Sequence, residues 1–166
     1  AHTPNATVLV YDFGGGSFDV SIIQEDHGQF KEIARGGRKN LGGNDLTEKI
    51  FNKLWQDFNK KYGLDLPIED DEFDEDYYHF SIDDYRKNKM ELWEGANNLK
   101  EDLSEVDEAE TTLNVFTAPG ESELYTVSLS RDELNQLIEP EIDETVQSTL
   151  QTMDEARDRG FSQLYQ

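Results

Sequence analysis

The apolar residues of this chain change period three times, and that rhythm limits the folds open to it. Phe18, Val20 and Ile22 alternate with Asp19, Ser21 and Ile23, the period of a strand. With the apolar run at 8–11 before them and 30–35 after them, they predict three consecutive strands joined by tight turns, an antiparallel meander. Asp26-His27-Gly28 supplies the second turn, and Gly36-Gly37 and Gly42-Gly43 then punctuate a predicted loop. From Leu46 the step becomes three to four. Leu46, Ile50, Phe51, Leu54, Trp55, Phe58 and Tyr62 mark a helix that Asn44 is expected to cap and Gly63 to end. A second helix is predicted over 81–103, with Tyr85, Leu92, Trp93, Ala96, Leu99 and Leu103 on one side. Trp55 and Trp93 are both expected in the core. The period returns to two over 111–118 and 123–129, around the turn Pro119-Gly120. Ser130 and Glu133 then form a capping box ahead of Leu134, Leu137, Ile138, Ile142, Val146, Leu150 and Met153. Pro140 is expected to kink or split that stretch, because it lacks an N–H and crowds the preceding turn. The order β-β-β-α-α-β-β-α-α is an α+β arrangement, not a doubly wound parallel sheet.

Composition narrows the partners. The chain has 166 residues, room for one domain or two small lobes. It carries 15 Lys and Arg against 37 Asp and Glu, a net charge of −22. Such a balance repels nucleic acid and anionic membrane surfaces, and neither is expected as a partner. A nucleotide is still compatible, since a few backbone N–H groups hold phosphate locally, and magnesium cancels charge. Nine Phe, seven Tyr and two Trp supply a core and argue against disorder. The absence of cysteine excludes disulfide and thiolate chemistry and suits a reducing, cytoplasmic setting. No apolar run approaches membrane-spanning length, and the N-terminus has no signal-peptide pattern. The acidic stretch 69–76 lacks the residue order of an EF-hand and reads as a solvated loop. His2, His27 and His79 show no ligand spacing, so each is expected at a turn or exposed.

The chemistry concentrates in Asp12-Phe13-Gly14-Gly15-Gly16-Ser17-Phe18-Asp19. Three glycines between two strands let a backbone turn sharply and approach a ligand with no Cβ in the way. Successive N–H groups in such a turn can converge on one anion, and Ser17 adds a hydroxyl. Asp12 can hold a magnesium ion beside the phosphates, usually through water. No Gly-Lys-Ser follows and no helix starts there, so this is not a Walker-type loop.

These residues resemble the DnaK-type heat-shock chaperones of the actin-like ATPase superfamily. The family's second phosphate motif, D-L-G-G-G-T-F-D-V-S, is read here at 12–21 as D-F-G-G-G-S-F-D-V-S. Leu41-Gly42-Gly43-Asn44-Asp45 resembles its L-G-G-E-D at the start of a helix. Lys100 with Leu103-Ser104 resembles its E-x-A-K-x-x-L-S, which packs on adenosine, with Asn97 and Glu101 departing from the usual residues. The strand-turn-strand before Ser130-Arg131-Asp132-Glu133-Leu134 is a fourth match, and all four fall in the family's order.

The resemblance implies an actin-like, ribonuclease H-like fold in part: residues 1–43 and 130–166 in a partial phosphate-binding lobe with the meander, and 44–129 in a small α+β lobe on the adenine side. It implies ATP or ADP with magnesium as ligands. Asp12 and Ser17 would serve catalysis, with Asp12 and Asp19 organising metal. Gly14, Gly15, Gly16, Ser17, Gly42, Gly43, Asn97, Lys100, Glu101 and Ser104 would contact nucleotide. The family's first phosphate loop, its catalytic lysine and its last adenosine motif lie outside the matched region. The expected object is therefore a piece of a chaperone nucleotide-binding domain, inactive alone, whose parent hydrolyses ATP under stress and works with co-chaperones. The rival reading is an interaction module whose acidic surface binds a basic partner on a scaffold with a decayed pocket. An actin-like sugar kinase would not match all four motifs in this order.

Overall fold

A computed structural model describes residues 6–26 and 28–159. The fold is mixed α+β with antiparallel sheets, and it divides into two compact units. One comprises the described parts of Ala1–Asp45 and Glu139–Gln166, the other Leu46–Ile138.

In the first unit, β1 (Thr7–Phe13), β2 (Phe18–Asp26) and β3 (Gln29–Arg38) form an antiparallel meander in the order β1-β2-β3. The alternation read from the sequence is real: Phe18, Val20 and Ile22 are buried while the residues between them are not. A bulge between β2 and β3 pairs Ile22 with Ala34 and Ile23 with Glu32, so Ile33 is the extra residue. That is why Ile33 and Ala34, adjacent in sequence, are both buried. Gly36 and Gly37 lie inside β3 and not in the loop expected for them. The C-terminal part of helix α4 (Arg131–Asp158) packs so close to Gly36 that an added Cβ would sit 2.1 Å from Thr152 Oγ1. Small polar residues make this approach feasible. Thr145 and Thr152, both buried, donate to helix carbonyls at Ile142 (2.7 Å) and Ser148 (2.8 Å), and Tyr11 Oη donates to Thr145 Oγ1 at 2.8 Å. His2 and His27 lie outside the described residues.

The second unit holds most of α1 (Gly43–Tyr62), α2 (Glu75–Tyr78), α3 (Ile82–Asp102), the hairpin β4 (Glu108–Ala118) and β5 (Glu121–Ser130), and the first turns of α4. Its core joins Ile50, Phe51, Leu54, Trp55 and Phe58 of α1 to Tyr85, Leu92, Ala96 and Leu99 of α3 and to the inward side of the hairpin. Asn88, fully buried, behaves as a missing strand partner: its side chain donates to Phe116 O (2.8 Å) and accepts from Phe116 N (2.7 Å). Asp84 accepts from Gly120 N at 2.9 Å, fixing the tip of the hairpin, where Gly120 has φ +73°.

Four expectations are corrected here. Helix α4 is not split at Pro140 and continues to Asp158; only one N–H is lost there, and apolar packing on both sides maintains the rest. The acidic stretch is structured: Asp74 accepts from Tyr77 N (2.8 Å) to cap α2, and Glu75 accepts from Ile82 N (2.7 Å) at the start of α3. Asp70 pairs with Lys89. Trp93 is 40% exposed, whereas Trp55 is buried with its indole N–H on Leu66 O at 3.1 Å. Asn44 does not cap α1, for a reason that belongs to the site.

Candidate functional site

The site begins with where helix α1 finds partners for its first N–H groups. An α-helix leaves four such donors unpaired, and a side chain usually satisfies one. Here Gly43 N donates to Gly14 O at 2.9 Å and Asn44 N to Gly15 O at 2.7 Å. Asp45 Oδ2 takes the N–H of Gly42 at 2.7 Å, so Gly42 and not Asn44 stands in the capping position. The helix start is thus seated on the glycine turn. The fit is tight, because a Cβ on Gly42 would lie 2.7 Å from each of Gly14 O, Gly15 C and Gly16 N.

That seating orients the turn. Gly14 N also donates to Ser17 O at 2.9 Å, leaving Gly15 and Gly16 as its two central residues. In a trans peptide the C=O and the following N–H point in opposite directions. With the carbonyls of Gly14 and Gly15 tied to α1, the N–H groups of Gly15 and Gly16 therefore face away from it. Neither N–H, nor that of Ser17, has a hydrogen-bond partner among the described residues. The result is a set of unpartnered donors on a backbone fixed from behind and open to approach, an arrangement that can take an anion.

The glycines of this turn are not explained by backbone conformation. None of Gly14, Gly15 and Gly16 has positive φ, unlike the residues of common two-residue hairpin turns. A Cβ on Gly15 or Gly16 would meet nothing within 4 Å. The fold itself would accept side chains there, so their absence keeps the approach to the N–H groups open.

Two carboxylates flank the turn. Asp12 and Asp19 are paired across β1 and β2, so both project from the sheet face opposite buried Phe18 and Val20. Asp12 has no ion-pair partner among the described residues. Asp19 accepts from Arg35 Nη2 at 3.0 Å, and that hydrogen bond, followed by the charge of Asp19, raises the guanidinium pKa further. Arg35 was missed by the motif reading. Its signal was compositional: three of the few cations of the chain stand at 35, 38 and 39.

In the second unit, Asn97, Lys100 and Glu101 come together with Thr47 of α1, a residue that no motif marks. Lys100 Nζ donates to Thr47 Oγ1 (2.7 Å) and Asn97 Oδ1 (3.0 Å), and Asn97 Nδ2 donates to Glu101 Oε1 (2.8 Å). Burial lowers the Lys100 pKa, against the opposing charge of Glu101. Ser104 stands apart, its hydroxyl turned back to Glu101 O at 2.6 Å. No group of three or more His, Cys, Asp or Glu side chains able to hold a metal occurs among the described residues. The family model described as Hsp70 protein matches residues 2–160 of the chain.

Proposed function

The chain belongs to the Hsp70 family, and from that premise we propose that it binds the phosphates of ATP or ADP on residues 14–17 and serves ATP hydrolysis in the chaperone. One observation carries the reading: the carbonyls of Gly14 and Gly15 are tied to α1, so the N–H groups of Gly15 and Gly16 face away from it, and neither these nor the N–H of Ser17 has a partner among the described residues. Gly42 and Gly43 act here as a buttress, since their own N–H groups are already engaged.

The residues present fit a magnesium ion in part. Asp12 offers a carboxylate without an ion-pair partner among the described residues, beside the turn, whereas the carboxylate of Asp19 is engaged by Arg35. Bound magnesium would supply charge neutralisation at the phosphates. The chain's own share is to position the phosphates with fixed donors, and Ser17 adds a hydroxyl at the same place. We assign Asn97, Lys100, Glu101 and Ser104 to the purine side, with Lys100 as the contact whose loss weakens binding and leaves the chemical step nearly intact. The meander with α4 is read as part of a ribonuclease H-like, phosphate-binding lobe and the second unit as the adenine-side lobe. We extend the reading to a cytoplasmic chaperone cycle with co-chaperones, which membership of the family supports. Among the described residues, no helix is long and apolar enough to cross a membrane.

Gly16→Val tests the proposal. The substitution meets open space, so the melting temperature should hold, while ATP affinity measured by calorimetry should fall at least tenfold or so, the value of a charge-assisted contact. Unchanged affinity would remove the turn from the site. One observation favours the rival interaction module: Asn97, Lys100 and Glu101 already satisfy one another. A native full-length protein that binds no ATP at millimolar concentration decides for it.

A further inference from the structure

Beside Ser17 lies a cavity of about 320 Å³ whose walls include Ser17, Asp19, Arg35, Arg38 and Lys39. Its charge runs against the rest of the molecule. A chain of net charge −22 with only 15 Lys and Arg places three of them here within five residues. The register explains the convergence. Arg35 is opposite Ser21, so it shares a sheet face with Ser21 and Asp19 and reaches Asp19 diagonally at 3.0 Å. Arg38 touches Glu144 only loosely, at 4.0 Å, and Lys39 has no ion-pair partner among the described residues.

A plain exposed ion pair contributes little to stability, so the Arg35–Asp19 pair is poorly explained as a brace. Its position suggests another use. Asp12 and Asp19 face each other, and unopposed they would repel a phosphate approaching the N–H groups of residues 15–17. A guanidinium on Asp19 cancels half of that charge. Of its five N–H donors, one bond to Asp19 is made, and the planar fork suits phosphate oxygens as well as carboxylates.

We propose that Arg35, with Arg38 and Lys39, forms a phosphate subsite continuous with the glycine turn. It takes the polyphosphate end of the nucleotide, with Arg35 serving as the counter-charge at Asp19. The proposal rests on the reading of residues 14–17 as a phosphate cradle, and it adds side chains that no motif of the chain contains.

The test is titration calorimetry of the chain with ATP, inorganic tripolyphosphate and adenosine as separate probes, with and without magnesium. Arg35→Gln should weaken ATP and tripolyphosphate by about tenfold or more and leave adenosine unchanged. The loss should be larger without magnesium. Adding Asp19→Asn should recover part of it, because the uncompensated carboxylate is then gone. A melting temperature equal to the native one shows that the exposed substitution leaves the fold intact. If Gly16→Val abolishes phosphate binding while Arg35→Gln and Lys39→Gln bind as the native chain does, the subsite is overturned and the cradle stands. If the native chain binds tripolyphosphate through Arg35 but no ATP, the nucleotide reading falls and the anion subsite stands. If the native chain binds neither probe, both are wrong.

Discussion

Asp12 and Asp19 are direct cross-strand partners at the mouth of the glycine turn. Like charges set opposite each other destabilise a sheet, by a few tenths to about 1 kcal/mol. The pair is therefore a liability to the meander unless something positive sits near it, and Arg35 covers only Asp19.

Asp12→Asn separates those two aspects. Thermal unfolding of the variant should occur at a slightly higher temperature than the native protein, since the repulsion is relieved. In the full-length chaperone, single-turnover ATP hydrolysis should slow on the order of a hundredfold, the usual effect of losing one charge-organising group. Equilibrium nucleotide binding should change far less, because the backbone N–H groups of residues 15–17 remain. A variant that binds weakly and hydrolyses normally would reverse the role given to Asp12.

Gly42→Ala should behave unlike any change in the turn. Its methyl group would lie 2.7 Å from three backbone atoms, none of which can rotate away. Overpacking of this kind costs about 1–3 kcal/mol, read as a lowered unfolding midpoint, and the displaced turn should lose phosphate affinity as well. Gly15→Ala, facing open space, should unfold at the native midpoint.

Asn88→Leu should be among the most damaging single changes in the second unit. It strands both the N–H and the C=O of Phe116 in a buried place. Each unsatisfied group costs roughly 1–3 kcal/mol, so urea unfolding should show a loss of at least about 2 kcal/mol.

Glu133 gives a pH dependence of defined sign. The backbone N–H of Ser130, then its hydroxyl, holds the Glu133 carboxyl below its ordinary value of 4.5. The stabilisation is complete above that ordinary value and is lost as pH falls through the lowered one. Glu133→Gln should thus melt below the native protein at neutral pH, and the gap should close in acid, as the pH falls below that ordinary value.

The long helices and the strand order were legible because burial imposes a period, and Phe18, Val20 and Ile22 or Ile50, Leu54 and Phe58 display it openly. The glycine turn was legible as a motif. What escaped depends on partners distant in sequence. Asn44 has the composition of a cap, yet the helix starts one residue before it, where the N–H groups of Gly43 and Asn44 are taken by the carbonyls of Gly14 and Gly15, nearly thirty residues earlier. Gly36-Gly37 has the composition of a loop, yet it lies in a strand because α4 needs the room above Gly36. Trp93 sits one position off the stripe set by Leu92, Ala96 and Leu99, and a 3.6-residue period places such a residue at the stripe's edge. Arg35 escaped for the simplest reason: an arginine in a strand carries no pattern until its cross-strand neighbours are known.

A two-stranded hairpin has two open edges, and each is a template on which a foreign chain can grow. Helix α3 closes one of them. Asn88 occupies the outward groups of Phe116, and Glu91 accepts from Asn114 N at 3.3 Å, so β4 offers no free ladder at those positions. Misassembly through this sheet is thereby steered to β5, where the exposed residues Glu121 and Glu123 set like charges against any second copy that tries to add there.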